Sequence, residues 1–171
     1  MNQFIGVLGS IVLLLASGLH YSKKNIKKYL FTIGNLLMFA YAILNFIDGG
    51  SIFFIYLQIL INFSSLLLWL NIKDKYDQPL VLSLGAILTY FALTINLDYL
   101  TLTFVIGIIT LALGFSTDTK KPTHNLLLFA GSLLIAIFSF FQKDLIFLIL
   151  NAFFALFSLK NLYQEFYKLK S

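Results

Sequence analysis

The stretch SIFFIYLQILINFSSLLLWLNI, residues Ser51–Ile72, decides the fold of this chain. Its 22 residues include no charged side chain, and a run of about 20 apolar residues is long enough to cross the hydrocarbon of a bilayer as a helix. One carboxamide, Asn62, lies near the centre of the run. In hydrocarbon its polar atoms need hydrogen-bond partners. The run therefore predicts a membrane helix, and Asn62 needs an explanation.

The composition extends this prediction to the whole chain. Of the 171 residues, 60% are hydrophobic and 11% are charged, whereas a soluble domain of this size carries more polar surface. The sequence has no Cys, which excludes disulfides and thiolate chemistry. All 12 basic residues are Lys, and there is no soluble fold to present them as a basic face for nucleic acid. We therefore expect an integral membrane protein that does not bind nucleic acid.

Seven apolar runs follow one another along the chain, separated by short polar loops. They are roughly Phe4–Tyr21, Tyr29–Ile47, Ser51–Ile72, Pro79–Asn96, Tyr99–Phe115, Asn125–Phe141 and Leu145–Leu162. The sequence therefore predicts an all-α integral membrane protein with seven transmembrane helices. Its two prolines, Pro79 and Pro122, are predicted to lie before or at helix starts, where the missing N–H costs nothing.

The distribution of Lys predicts the orientation of the chain in the membrane. If the loops alternate between the two sides, eleven Lys residues lie on one side and Lys143 lies alone on the other. Lys-rich loops stay in the cytoplasm, so we expect the N-terminus outside and the C-terminus in the cytoplasm. The count would be the same if Pro79–Asn96 and Tyr99–Phe115 formed a re-entrant hairpin.

An internal repeat bears on that alternative. The segments NLLMFAYAILNFI (35–47) and NLLLFAGSLLIAI (125–137) are identical at seven of thirteen positions. Each is preceded by a Lys-containing loop and followed by an acidic turn and a span with a central Asn, Asn62 or Asn151. Two three-helix repeats that run in the same direction require one extra helix between them, which favours two full spans over a hairpin. The predicted division is a first bundle at 1–72, a linker helix at 73–98 and a second bundle with a short cytoplasmic tail at 99–171.

This layout resembles that of the SWEET and PQ-loop superfamily, in which a linker helix joins two triple-helix bundles. In length and loop pattern the chain is similar to the YgjV-type proteins of the bacterial inner membrane, and PnuC-type vitamin transporters share the architecture. The resemblance implies a bacterial inner-membrane protein with a transport site between two parallel repeats. In SWEET-like transporters a central Asn on the third helix of each bundle faces the substrate, and Asn62 and Asn151 match these positions.

Four residues of the third span lie at i, i+4, i+7 and i+11 and so share one helix face: Gln58, Asn62, Ser65 and Trp69. Carboxamides offer both donors and acceptors to a neutral polar solute. The predicted substrate-binding residues are therefore Asn62, Asn151, Gln58 and Ser65.

A structural interpretation stands beside this one, because polar side chains often simply join membrane helices. On that interpretation the chain transports nothing and binds or scaffolds a partner. Asn35 and Asn125 are weaker candidates, and Asn125 is predicted to cap a helix start. His20 and His124, at the cytoplasmic ends, are predicted to contact solvent or lipid headgroups.

The sequence lacks the residues that several kinds of chemistry require. No ionisable side chain is predicted in mid-membrane, which disfavours an ion-coupled pump. The sequence shows no phosphate-binding glycine loop, nucleophile–base pair or metal cluster, so we expect no catalytic residue, cofactor or metal. The predicted function is passage of a small neutral polar solute by alternating access between the repeats. The predicted partners of the chain are that solute and the lipid bilayer. The sequence does not decide whether the chain forms a homo-oligomer.

Overall fold

The computed structural model describes residues 2–18, 24–70, 74–117 and 122–168. Its seven α-helices are α1 Asn2–Gly18, α2 Lys24–Ile47, α3 Phe53–Trp69, α4 Asp74–Ile95, α5 Tyr99–Ser116, α6 Pro122–Phe141 and α7 Leu145–Lys168. The predicted all-helical class is confirmed, since these ranges contain no strand. The following residues, used above for orientation or as candidates, lie outside the described ranges: His20, Lys23, Lys73, Lys120, Lys121 and Lys170.

The start of α4 differs from the prediction. Helix α4 begins at Asp74, so Pro79 lies inside the helix and not at its start. Proline has no N–H to donate to the carbonyl of Lys75 in the first turn. Water can hydrate a carbonyl so near a helix end, and Pro79 is exposed. Pro122 is the first residue of α6, as predicted.

Four segments are long and apolar enough to cross a membrane: Lys28–Ile47, Tyr76–Ile95, Thr123–Phe141 and Leu145–Gln164. Three apolar segments are shorter: Asn2–Ala16, Phe53–Leu67 and Tyr99–Phe115. Large apolar side chains are exposed on every helix, for example Phe4, Leu36, Leu66, Ile87, Ile106, Phe140 and Ile149. Soluble monomers rarely expose apolar surface on this scale.

The chain divides into two compact units, Met1–Asn71 (the first unit) and Ile72–Ser171 (the second unit). In the first unit α2 packs against both α1 and α3. In the second unit α6 packs against both α5 and α7, and α4 packs against α5. Each group of three helices therefore has its second helix in contact with the helix before it and the helix after it. A separate linker helix at 73–98 remains a prediction.

Helices α1 and α2 approach each other closely at two glycines. A Cβ atom on Gly34 would lie 2.6 Å from Cγ of Leu13, and one on Gly9 would lie 3.0 Å from Cβ of Leu37. The side-chain amide of Asn2 donates a hydrogen bond to Asp48, which joins the start of α1 to the end of α2. The two helices therefore run antiparallel, with glycine where their backbones are nearest.

The core of the second unit is aromatic. The rings of Phe104 and Phe138 lie 5.0 Å apart between centroids, and both side chains are fully buried. A Cβ atom on Gly131 would lie 2.9 Å from the backbone nitrogen of Leu111. Helices α5 and α6 thus pack backbone against backbone at Gly131.

Helix α2 ends in a Schellman turn. The N–H of Gly50 donates to the carbonyl of Asn45 at 2.8 Å, and the N–H of Gly49 donates to the carbonyl of Phe46 at 3.0 Å. This pair of bonds defines the motif, which requires a left-handed residue at the position of Gly49. Gly49 has φ 91°, a value that glycine adopts without steric conflict.

Helix α6 ends in the same turn without glycine. The N–H of Asp144 donates to the carbonyl of Ser139 at 3.0 Å, and the N–H of Lys143 donates to the carbonyl of Phe140 at 3.1 Å. Lys143, with φ 58°, occupies the left-handed position. It lies 94 residues after its counterpart Gly49, whereas the matching Asn-Leu-Leu segments are 90 residues apart. Helix α6 therefore runs about one turn further past its segment than α2 does.

Candidate functional site

The polar face predicted on α3 is present, and it meets α2 within the first unit. Nδ2 of Asn35 donates to Oγ of Ser65 at 3.0 Å. Nδ2 of Asn62 lies 2.8 Å from the carbonyl oxygen of Gln58 and 3.3 Å from that of Asn35, as a donor to both. The structure thus brings two predicted site residues, Asn62 and Ser65, together with Asn35, and Asn62 also contacts the backbone of a third, Gln58. We call these four residues the carboxamide cluster.

Gln58 is the unusual member of the carboxamide cluster. Its side chain is 1% exposed, and its Oε1 atom has no hydrogen-bond partner among the described residues. Leaving a buried acceptor unsatisfied costs about 1–3 kcal/mol, and such an atom in a native protein calls for an explanation. A hydrogen-bond donor from outside the chain would satisfy it.

A second set of contacts joins α2 and α3 at the end away from the turn at residues 48–52. Nε1 of Trp69 donates to Oγ1 of Thr32 at 2.6 Å, and Oγ1 of Thr32 donates to the carbonyl of Lys28 at 3.0 Å. The ammonium of Lys28 lies 4.3 Å from the centroid of the Trp69 ring. The ring of Tyr29 meets that of Trp69 edge-on at 5.0 Å. Trp69 is therefore held from three directions.

Asn151, the predicted site residue of the second unit, lies on α7 and is 4% exposed. Its Nδ2 donates to the carbonyl of Phe147 at 2.8 Å, which is the same bond to the preceding turn that Asn62 makes. Asn62 is the tenth residue of α3, and Asn151 is the seventh of α7. Asn151 is therefore about 4.5 Å closer to the start of α7 than Asn62 is to the start of α3.

Asn35 is the member of the carboxamide cluster that we predicted only as a weaker candidate from the sequence. Its position on α2 follows from a pattern that the sequence does contain, since Lys28, Thr32 and Asn35 lie at i, i+4 and i+7. These residues form the stripe of α2 that faces α3. The sequence signal for this pairing was the presence of two polar stripes of matching length on consecutive helices, α2 and α3.

Two predictions about α6 need correction. Asn125 does not cap a helix start, because α6 begins at Pro122 and Asn125 is buried in its first turns. His124 does more than contact solvent or lipid, because its Nδ1 lies 2.9 Å from the carbonyl oxygen of Gly114 and joins α6 to the last turn of α5. Helix α6 therefore begins three residues earlier than the apolar pattern indicates, at Pro122 and not at Asn125.

Two carboxylates in the predicted outer loops cap helices. Oδ1 of Asp98 accepts from the backbone N–H of Thr101 at 2.7 Å at the start of α5. This backbone hydrogen bond holds the pKa of Asp98 below its ordinary value. Oδ1 of Asp144 accepts from the N–H groups of Ile146 and Phe147 at 3.1 and 3.0 Å at the start of α7. Both residues satisfy helix N-termini.

A surface depression of about 420 Å³ lies at the turn between α6 and α7, lined by Phe140, Phe141, Lys143 and Leu145. It is about two turns from Asn151 along α7, and three of its four lining side chains are exposed and apolar. It therefore lacks the convergent polar groups that a solute site needs.

The described ranges contain no group of three or more His, Cys, Asp or Glu placed to hold a metal ion. In comparisons with known proteins, no family model, no curated protein and no solved structure matches this chain.

Proposed function

We propose that this chain is an integral membrane protein with seven spans, a cytoplasmic C-terminus and a location in the bacterial inner membrane. Four long apolar helices and exposed apolar side chains on all seven helices support a bilayer as its solvent. The distribution of Lys supports the orientation. The three shorter helices need tilting of their neighbours or local thinning of the bilayer to cross it.

We further propose a 3+1+3 plan of the SWEET-like kind, with two parallel three-helix repeats. The support is the matching order of helix packing in the two units and the matching Schellman turns at Gly49 and Lys143. In that plan the chain is a facilitator that lets a small neutral polar solute cross by alternating access. It acts without catalysis, cofactor or metal.

The observation that carries the transport proposal is the buried Oε1 of Gln58, which has no partner among the described residues. The carboxamide cluster contains no charge, so it suits a neutral solute. An acceptor without a partner favours a solute that donates a hydrogen bond from an O–H or N–H group. Asn62, Gln58 and Ser65 in the first unit and Asn151 in the second are the proposed contacts.

A second candidate function has its own observation. Asn35, Asn62 and Ser65 hydrogen-bond to one another and to the backbone across α2 and α3, which is what side chains that join helices do. On this view the chain binds or scaffolds a partner protein and carries no solute.

Osmotic swelling of proteoliposomes separates the two candidates. Vesicles with the full chain are mixed with polyols, sugars or small amides, and with the sodium salt of an organic anion as control. Facilitated passage predicts faster swelling with at least one neutral solute, no effect with the anion, and loss of the effect in Gln58→Met. Swelling at the rate of protein-free vesicles with every solute would favour the scaffold.

A further inference from the structure

The depression at the turn between α6 and α7, which the proposed transport function does not use, lies where two apolar segments end. Its apolar walls are Phe140 and Phe141, the last two residues of the candidate span of α6, and Leu145, the first residue of that of α7. Lys143 lies between the two spans. In a bilayer the apolar spans end where the headgroup region begins. The depression therefore extends from hydrocarbon to headgroup level.

The walls of the depression suit an apolar chain. The side chains of Phe140, Phe141 and Leu145 are each more than half exposed, and the two rings meet edge-on with 5.5 Å between their centroids. The volume of about 420 Å³ falls within the range of about 300–1,000 Å³ that small-molecule pockets occupy. A hydrocarbon chain in the depression would cover this surface without leaving any polar group unpaired.

Lys143 adds a cation to the rim of the depression. Among the residues that the structure describes, no hydrogen bond or ion pair engages its ammonium. Its backbone has φ 58°, in the left-handed region that disfavours a side chain, whereas the matching turn of the first unit has Gly49. Conformations of this kind are often kept where a side chain has a function. The side chain that this turn retains supplies three N–H donors.

Two carboxylates lie at the same end of the second unit, and both are engaged in helix caps. Asp98 accepts from the backbone N–H of Thr101 at the start of α5. Asp144 is buried and accepts from two backbone N–H groups at the start of α7. The partial positive charge of each helix start offsets these carboxylates. The ammonium of Lys143 is therefore left to a counter-ion from outside the described residues.

We propose that this depression binds one phospholipid molecule of the outer leaflet, with an acyl chain against Phe140, Phe141 and Leu145 and the phosphate on the ammonium of Lys143. A phospholipid joins an apolar chain to a phosphate, as the depression joins apolar walls to a cation, and Lys is a common partner of phosphate. The site rests on the membrane location and orientation proposed above. It is independent of whether a solute is transported.

Native mass spectrometry of the full chain in detergent counts the lipid molecules bound. The probes are dioleoyl phosphatidylglycerol and dioleoylglycerol, which have the same acyl chains and differ in the phosphate-containing headgroup. Phe141→Ala removes one wall, so the binding that it abolishes belongs to the depression. At that site we expect phosphatidylglycerol to bind about fivefold more tightly than dioleoylglycerol, the effect of one Lys on an anionic lipid at a membrane surface.

Variants of Lys143 show whether its ammonium causes the preference. Lys143→Gly should reduce it to about equality and should fold, because glycine suits φ 58°. Lys143→Arg keeps the charge and should retain the preference. Lys160→Gln, which removes an exposed Lys of α7, should leave it unchanged. Far-UV circular dichroism checks that each variant is helical.

Each other outcome overturns the proposal. Equal binding of the two lipids by the wild type, or an unchanged preference in Lys143→Gly, would exclude the phosphate contact. Displacement of phosphatidylglycerol by inorganic phosphate at constant ionic strength would show a site for free anions. A protein dimer that Phe141→Ala abolishes would assign the depression to a second copy of the chain.

The membrane location is tested separately by alkaline extraction of membranes from cells that express the chain. Release of the chain would contradict the membrane location, and the lipid site with it. Retention of the chain together with binding of neither lipid in detergent would exclude the lipid site alone.

Discussion

Gly49 and Lys143 occupy the same position in two equivalent turns, and they are the residues with positive φ among those that the structure describes. Both hydrogen bonds of the Schellman motif form around each of them, within 0.2 Å of the same lengths. Gly49 adopts the left-handed conformation freely, whereas a Lys side chain raises its energy by roughly 1–2 kcal/mol. The second turn therefore keeps the geometry at some cost.

This difference predicts opposite effects of two substitutions. Lys143→Gly should raise the free energy of unfolding by about 1 kcal/mol, because glycine removes the steric conflict at φ 58°. Gly49→Lys should lower it by a similar amount. Unfolding in a denaturing detergent, followed by circular dichroism, measures both. Gln142→Gly, one residue earlier in the same turn, is the control and should not stabilise.

The contact between Asn35 and Ser65 predicts a measurable coupling. In a double-mutant cycle of Asn35→Ala and Ser65→Ala, the two changes should be coupled by about 0.6 kcal/mol, the average for hydrogen bonds between membrane helices. Asn35→Ala paired with Ser158→Ala, on α7, provides a control cycle. Equal coupling in the two cycles would contradict the observed hydrogen bond.

The packing of α5 against α6 predicts that Gly131→Ala is destabilising. The new Cβ atom would lie 2.9 Å from the backbone nitrogen of Leu111, which cannot move as a flexible side chain can. Overpacking of this kind costs about 1–3 kcal/mol. Gly85→Ala is the comparison and should lose less, because its new Cβ atom would meet one atom, Cβ of Ala112 at 3.0 Å, whereas that of Gly131→Ala would meet three atoms of Leu111 at 2.7 to 3.0 Å. Melting temperatures in one detergent compare the two variants, and equal losses would contradict the close approach.

The cap on α5 predicts a dependence of stability on pH. The pKa of Asp98 is lowered by the hydrogen bond from the backbone of Thr101, so the folded state favours the carboxylate. This stabilisation is present above the ordinary pKa of an aspartate and is lost as the pH falls through the lowered value. In Asp98→Asn that part of the acid dependence should vanish. An unchanged pH profile of the melting temperature would show that the cap does not titrate.

The sequence predicts the seven helices and the residues that share a face of α3, because both follow from apolar periodicity. It does not predict that Asn35 meets Ser65, since a helical period shows which side chains lie together and not which helix they face. It also does not predict the left-handed Lys143, because glycine is the residue that this position of the turn favours.

The start of α4 shows the limit of local signals. Pro79 marks a helix start by the usual preference, yet α4 begins at Asp74 in a polar segment. Proline at the sixth position of the helix removes one hydrogen bond and crowds the carbonyl of Lys75, yet the helix continues through it. The use of Asp98 as a helix cap follows the known preference of Asp for that position.

In the proposed transport function, the buried Oε1 of Gln58 accepts a hydrogen bond from a neutral solute. Wild-type protein and Gln58→Met are purified in detergent and heated with a panel of sugars, nucleosides, vitamins and amino acids. Without solute, the variant should be at least as stable, because it removes an unsatisfied acceptor. At least one neutral compound should raise the melting temperature of the wild type through binding and leave that of Gln58→Met unchanged. Equal stabilisation of both proteins, or none by any compound, would contradict the claim.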